Sequence, residues 1–189
     1  MTKGKERLTG VVLAGGKSSR FGQDKGLYQY DGKPLVEHAL DILRPVCHET
    51  LISTNHPDEY SGFGVRCITD HFRGAGPLAG IHSALMHART PLVAVIGCDM
   101  PNIPSSLFST MLQHAAAYDV VMPVHQGFTE TMCALYSKKA ITAIEQSIRK
   151  KEYKIITAIS SLKALYLPVE HEPFYRPGIF QNINYRSDL

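Results

Sequence analysis

The stretch GVVLAGGKSSRFGQDKG, residues 10 to 26, decides how the chain is read. It begins apolar and turns at once to glycine, lysine, serine and arginine. Extended back, Leu8 to Ala14 is a short, nearly continuous apolar run, the pattern of a parallel strand buried on both faces. The glycines that follow allow unusual dihedrals and let backbone amides come close to a ligand. Consecutive amides form a concavity that suits an anion. Lys17, Arg20 and Lys25 add positive charge, and an arginine can fork onto phosphate oxygens. Two familiar phosphate templates do not fit. GGKSS lacks the first glycine that GxxxxGK[ST] requires, and the adjacent glycines do not make GxGxxG. The residues alone leave two readings open, a phosphate cradle and a solvated surface loop.

Working outward, apolar runs alternate with helical patterns. Residues 34–43 place apolar side chains at 35, 36, 39, 40 and 43, the helical period, with Pro34 suited to the first turn. Strands are expected at 50–55, 65–70, 91–99, 119–124 and 163–168, with another at 134–138. Helices are expected at 77–87, 105–117, 138–150 and, in short form, near 154–161. An irregular tail follows. Alternating strands and helices predict a mostly parallel central sheet covered on both faces. The expectation is one Rossmann-like, three-layer α/β domain over residues 1–189. In such sheets ligands bind beyond the carboxyl ends of the strands. The expected strand ends carry Gly15 and Gly16, Ser53 to Asn55, Asp70 and Asp99.

Composition narrows the function classes. Of 189 residues, 44% are hydrophobic and 20% charged, an ordinary globular balance. A net charge of +3 is too small to argue for nucleic acid or membrane, and it suits a small anionic substrate. Lysines and arginines are spread along the chain, without the basic, aromatic-studded face of a nucleic-acid binder. Cysteines 47, 67, 98 and 133 form no CxxC pair, and those in apolar contexts, Cys98 and Cys133, read as reduced core residues of a cytoplasmic protein. The amino terminus, MTKGKERLTG, has no apolar leader segment, and no apolar run reaches membrane-spanning length. The histidines have no metal spacing; His82 and His87 are expected on or beside a helix surface, and Met111 and Leu112 in a helix core.

LAGGKSSRFGQDK resembles the signature of nucleotidyltransferases that activate small phosphorylated molecules. With DGKPLVEHAL, ITD, GPLAGIHSAL, GCDMPNIP, CALY and FQNIN following in order, nearly the whole chain is similar to the molybdenum cofactor guanylyltransferases, the molybdopterin-guanine dinucleotide biosynthesis protein A family. The resemblance implies that GMP passes from GTP to the terminal phosphate of molybdopterin, with pyrophosphate leaving and Mg2+ as cofactor. It further implies that Leu13, Ala14 and Gly15 hold the guanine and ribose side through backbone contacts. Gly16, Ser18 and Arg20 would embrace the triphosphate, and Lys25 would contact phosphate. Asp70 would lie near base and sugar, and Asp99 would bind the metal. Asn182 and Asn184 would border the catalytic centre on the acceptor side. Arg20, Lys25 and Asp99 form the implied catalytic set. Partners would be GTP, molybdopterin and, transiently, other cofactor-biosynthesis proteins and molybdoenzymes.

The chain departs from the family pattern at two points. Ser53 stands where some members carry a nucleotide-contacting asparagine, with Asn55 two residues on. Glu130 and Thr131 stand where His-Pro often precedes the CALY-like strand. The nearest rival is a cytidylyltransferase, which tends to read LAAG rather than LAGG. Sugar-1-phosphate nucleotidyltransferases carry a longer signature and a longer chain. An adaptor that had lost its chemistry would be expected to lack Asp99.

Overall fold

The structure is a computed structural model and describes residues 8–15 and 24–184. Strand β1 (Leu8–Leu13) is buried along its whole length, as a continuous apolar run requires. Successive side chains enter opposite layers, Val12 on one side and Val11 and Leu13 on the other. Gly10 lets helix α1 (Leu35–Leu43) approach β1 closely: a methyl there would lie 2.9 Å from Cys47 Sγ and 3.0 Å from Leu43 Cβ.

A hairpin of β2 (Gln29–Tyr30) and β3 (Lys33–Pro34) precedes α1. Then come β4 (Glu49–Ser53), a 3-10 segment at Pro57–Phe63, β5 (Arg66–Ile68) and α2 (Pro77–His87). The second half runs β6 (Leu92–Gly97), α3 (Ser105–His114), β7 (Val120–His125), β8 (Phe128–Thr129) and β9 (Cys133–Ser137). It closes with α4 (Ala140–Arg149), α5 (Ile155–Ala158) and β10 (Ala164–Pro168). The main sheet is ordered β10-β7-β9-β6-β1-β4-β5, with β8 beside β7. Helices α1 and α3 pack on one face and α2 and α4 on the other, so the three-layer α/β expectation holds.

Several local expectations are corrected. Strand β9 is antiparallel to both neighbours, β6 and β7. Helix α3 stops at His114 rather than reaching residue 117, because Ala115 and Ala117 donate to Leu112 and His114 in tight three-residue turns. Met111 is buried as expected, whereas Leu112 is only half-buried. The tail is irregular but not loose: Ile179, Phe180 and Ile183 are buried. All four cysteines are free, and three of them are buried. Among the described residues no helix is long and apolar enough to cross a membrane.

His82 is the clearest miss. It is 1% exposed, at the packing of α2 against α4, and both ring nitrogens lack hydrogen-bond partners among the described residues. His87 is exposed, as expected. Burial, opposed by Glu145, whose carboxylate is 3.7 Å away, holds the His82 pKa below the ordinary 6.5; His71 and Arg149 push the same way as burial. The unfolded chain therefore takes up a proton that the folded chain resists. The stability tied to neutral His82 is intact above pH 6.5 and is lost as pH falls through the window below it. Urea unfolding of His82→Leu should thus show a shallower pH dependence below that point. The difference should reach at most one proton, about 1.4 kcal/mol per pH unit. Parallel curves for both proteins would place the acid-sensitive group elsewhere.

Candidate active site

The chain leaves β1 toward β4 on one side and returns from β5 to β6 on the other, so the strand order switches between β1 and β6. A crevice at the carboxyl ends of such strands is the usual place for a ligand. There Leu13 is in register with Gly97, and the Cys98 amide donates to Leu13 O at 3.1 Å. The chain then turns and presents Asp99. Gly97 makes room for it, since a methyl at residue 97 would sit 2.6 Å from Asp99 Oδ1.

Three of the residues singled out by sequence meet at this point. Lys25 Nζ donates to Asp99 Oδ2 at 2.9 Å and to Asn184 Oδ1 at 3.1 Å. The Lys25 and Asp99 side chains are 18% and 17% exposed, so the pair is open to a ligand yet shielded from bulk water. The tail is pinned beside it by the Ile183 amide, which donates to Asp99 O at 2.9 Å. Asn182 is not part of this cluster. Its side-chain oxygen is buried and has no partner among the described residues. Gly16, Ser18 and Arg20 lie outside the described residues, as does Lys17.

Asp24 places Lys25, a role the sequence reading missed. It caps the 3-10 turn Lys25–Leu27, its Oδ1 accepting from the Gly26 amide at 3.0 Å and from the Tyr60 hydroxyl at 2.6 Å. An aspartate directly before a short turn is the available signal. Burial, then the bond to Asp24, drives the Tyr60 phenol far above its ordinary pKa, so it remains a proton donor. Gly26 is needed because a side chain there would meet the Tyr60 oxygen at 2.5 Å. Burial, reinforced by the neighbouring Asp99 charge, likewise keeps Cys98 a thiol. A thiol in that state is no nucleophile.

A second group lies at the ends of β4 and β5. Asn55 Nδ2 donates to Asp70 Oδ2 at 2.9 Å, and the Asp70 amide donates to Asn55 Oδ1 at 3.4 Å. Asp70 is thus joined to Asn55 and not to the Lys25–Asp99 pair. Ser53 is buried, and Ser53 O receives the Ala14 amide at 2.9 Å. Gly80 of α2 presses on this corner, its hypothetical methyl 2.9 Å from Leu13 Cδ2 and 3.2 Å from Ser53 Oγ. Leu13 and Ala14 are buried, and Gly15 is exposed at the lip of the crevice.

On the far side, His125 ends β7. Its Nε2–H donates to Glu130 Oε1 at 3.0 Å, and its ring stacks on Phe180 with centroids 4.2 Å apart. Thr131 O accepts from the buried Tyr136 hydroxyl at 2.6 Å. Glu130 and Thr131 therefore brace this corner. A roomier groove of about 550 Å3, edged by Tyr118, Asp119, Lys139 and Lys163, opens at the opposite, amino-terminal ends of the strands. Size does not decide between the two ends; the convergent carboxylate, ammonium and amide groups do.

Comparison with known proteins identifies the family. Residues 10–164 match the family described as MobA-like NTP transferase domain. A relative from Pelotomaculum thermopropionicum named "Probable molybdenum cofactor guanylyltransferase" is 35% identical over 185 residues, covering 97% of this chain and 90% of the relative. A "Molybdenum cofactor guanylyltransferase" from Vibrio parahaemolyticus is 33% identical over 183 residues, covering 95% and 91%. The crystal structure of molybdopterin-guanine dinucleotide biosynthesis protein A from Archaeoglobus fulgidus superposes with a TM-score of 0.82 at 28% identity, covering 95% of this chain and 94% of that one. By that match and those relatives, with the fold they share, the chain belongs to the MobA-like NTP transferase family of nucleotidyltransferases.

Proposed function

We propose that the protein transfers GMP from GTP to the terminal phosphate of molybdopterin, yielding the guanine dinucleotide cofactor and pyrophosphate. The observation that carries this reading is the convergence of Lys25, Asp99 and Asn184 beside the end of β1. The names of the relatives supply the substrates. Both reactants are anionic, so charge neutralisation and alignment do most of the catalytic work. An oxygen of the acceptor phosphate attacks the α-phosphorus of GTP as the bond to the bridging oxygen of the β-phosphate breaks. That oxygen leaves on pyrophosphate. The attacking phosphate is already ionised at neutral pH, so no general base is required.

The residues present fit a magnesium ion. Asp99 Oδ2 and Asn184 Oδ1, both hard oxygens, already converge on a cation, the Lys25 ammonium. Asp99 would hold the metal, with phosphates and water completing its shell. Bound Mg2+ would stabilise charge growing on the α-phosphoryl oxygens. Lys25 would then turn to the phosphates, joined by Arg20 for the departing pyrophosphate. Leu13, Ala14, Gly15 and Asp70 would hold base and sugar, and Gly16 and Ser18 the triphosphate. Asn184 would orient Lys25 and, with Asn182, border the acceptor. Contact with other cofactor-biosynthesis proteins and molybdoenzymes would be transient, in the cytoplasm.

Nucleotide ranking by thermal shift tests the reading. A ligand at a hundred times its Kd adds about 2.7 kcal/mol to the native state. For a domain of this size that is roughly 5–10 °C in Tm. GTP with magnesium should give that shift, and CTP, ATP and UTP much less. A larger shift with CTP would make the protein a cytidylyltransferase.

A further inference from the structure

We infer that the pocket formed by His125, Gln126, Tyr175, Arg176, Phe180 and Gln181 receives the planar heterocycle of the acceptor, apart from its reacting phosphate. The inference rests on the proposed guanylyl transfer and deepens it. The pocket measures about 210 Å3. That is below the roughly 300–1,000 Å3 of whole-ligand pockets, so it takes a ring system rather than an entire substrate.

Its position is set by the chain. His125 is the last residue of β7, at the same end of the sheet as Asp99. The tail passes from Gln181 at the pocket to Ile183, whose amide is bonded to Asp99 O. Two residues of extended chain span at most about 7 Å. A molecule seated in the pocket can therefore extend its phosphate to the Lys25–Asp99 pair.

Its chemistry selects a flat, nitrogen-rich ring. The walls are aromatic: Tyr175, Phe180 and the stacked His125 ring. Glu130 fixes that ring, because a carboxylate can only accept and so Nε2 must carry the proton. Gln126 and Gln181 each offer a donor and an acceptor, and Arg176 offers a planar fork that stacks or donates to a ring carbonyl. One arginine with two carboxamides suits a neutral heterocycle better than a phosphate.

The turn that forms the pocket lip is unusual. Gln126 holds a φ of +49° in the two-residue turn between β7 and β8, ahead of Gly127 at +79°. Such a turn favours Asn-Gly, so Gln126 takes a strained conformation at the pocket lip.

Steady-state transfer with Arg176→Ala, Gln181→Ala and the wild type tests this, since both side chains are exposed and neither supports the core. Molybdopterin is varied at saturating GTP, then GTP at saturating molybdopterin. Arg176→Ala should raise the molybdopterin KM about 10- to 100-fold, and Gln181→Ala about 3- to 10-fold. The GTP KM should stay within twofold of wild type. Unchanged molybdopterin KM in both variants, with active wild type, overturns the pocket assignment alone. A wild type that binds GTP but transfers nothing to molybdopterin overturns the parent reading.

Discussion

Asp99→Ala should lower the proposed guanylyl transfer by roughly 1000-fold while the protein stays folded. The size follows from what the carboxylate would do in the proposed reaction: paired with Lys25 beside the end of β1, it would anchor magnesium against the α-phosphate. A single preorganised electrostatic contact is worth roughly 100- to 1000-fold in rate, and losing the metal anchor falls at the upper end. The fold should survive. Asp99 is partly exposed, its backbone oxygen still receives the Ile183 amide, and Lys25 keeps the Asn184 oxygen. Kinetics with magnesium, beside a circular-dichroism melt, check both halves. Near-wild-type turnover in a folded variant would remove Asp99 from the chemistry.

Lys25→Ala is the second large effect. The ammonium stands against Asp99 and would turn to phosphate when GTP and metal enter. Its loss should lower kcat/KM for GTP by about 100-fold and weaken GTP binding measured by calorimetry. The two substitutions should not add. Asp99 and Lys25 share partners, so the double variant should lose less than the product of the single losses. Additive losses would mean that the 2.9 Å contact has no part in the reaction.

The frame of this site is legible in the sequence, and its closure is not. The apolar run ending in Ala14 and the run ending in Asp99 identify adjacent buried strands, and their polar ends mark the crevice. The pairing of Lys25 with Asp99 spans 74 residues and depends on the β1–β6 register and on the cap that Asp24 provides. Neither leaves a periodic trace. Asn182 and Asn184 are legible only through family resemblance, because an irregular tail carries no period. The same limit explains β9: a run buried on both faces does not encode strand direction. His82 reads as a surface residue because it is polar, yet α2 is packed against both the sheet and α4. By contrast, Asp31-Gly32, with φ values of +45° and +80°, is a hairpin signal in its own right. It lies within YDGK, which strand-and-helix alternation does not flag.

The most direct test of the central claim is a crystal structure with magnesium and a GTP analogue whose α–β bridge is methylene. The triphosphate should lie across the end of β1, with Lys25 Nζ turned from Asp99 to phosphate. The metal should sit about 2.0–2.1 Å from an Asp99 oxygen. A triphosphate found instead in the groove beside Tyr118, Lys139 and Lys163, at the opposite end of the sheet, would contradict it.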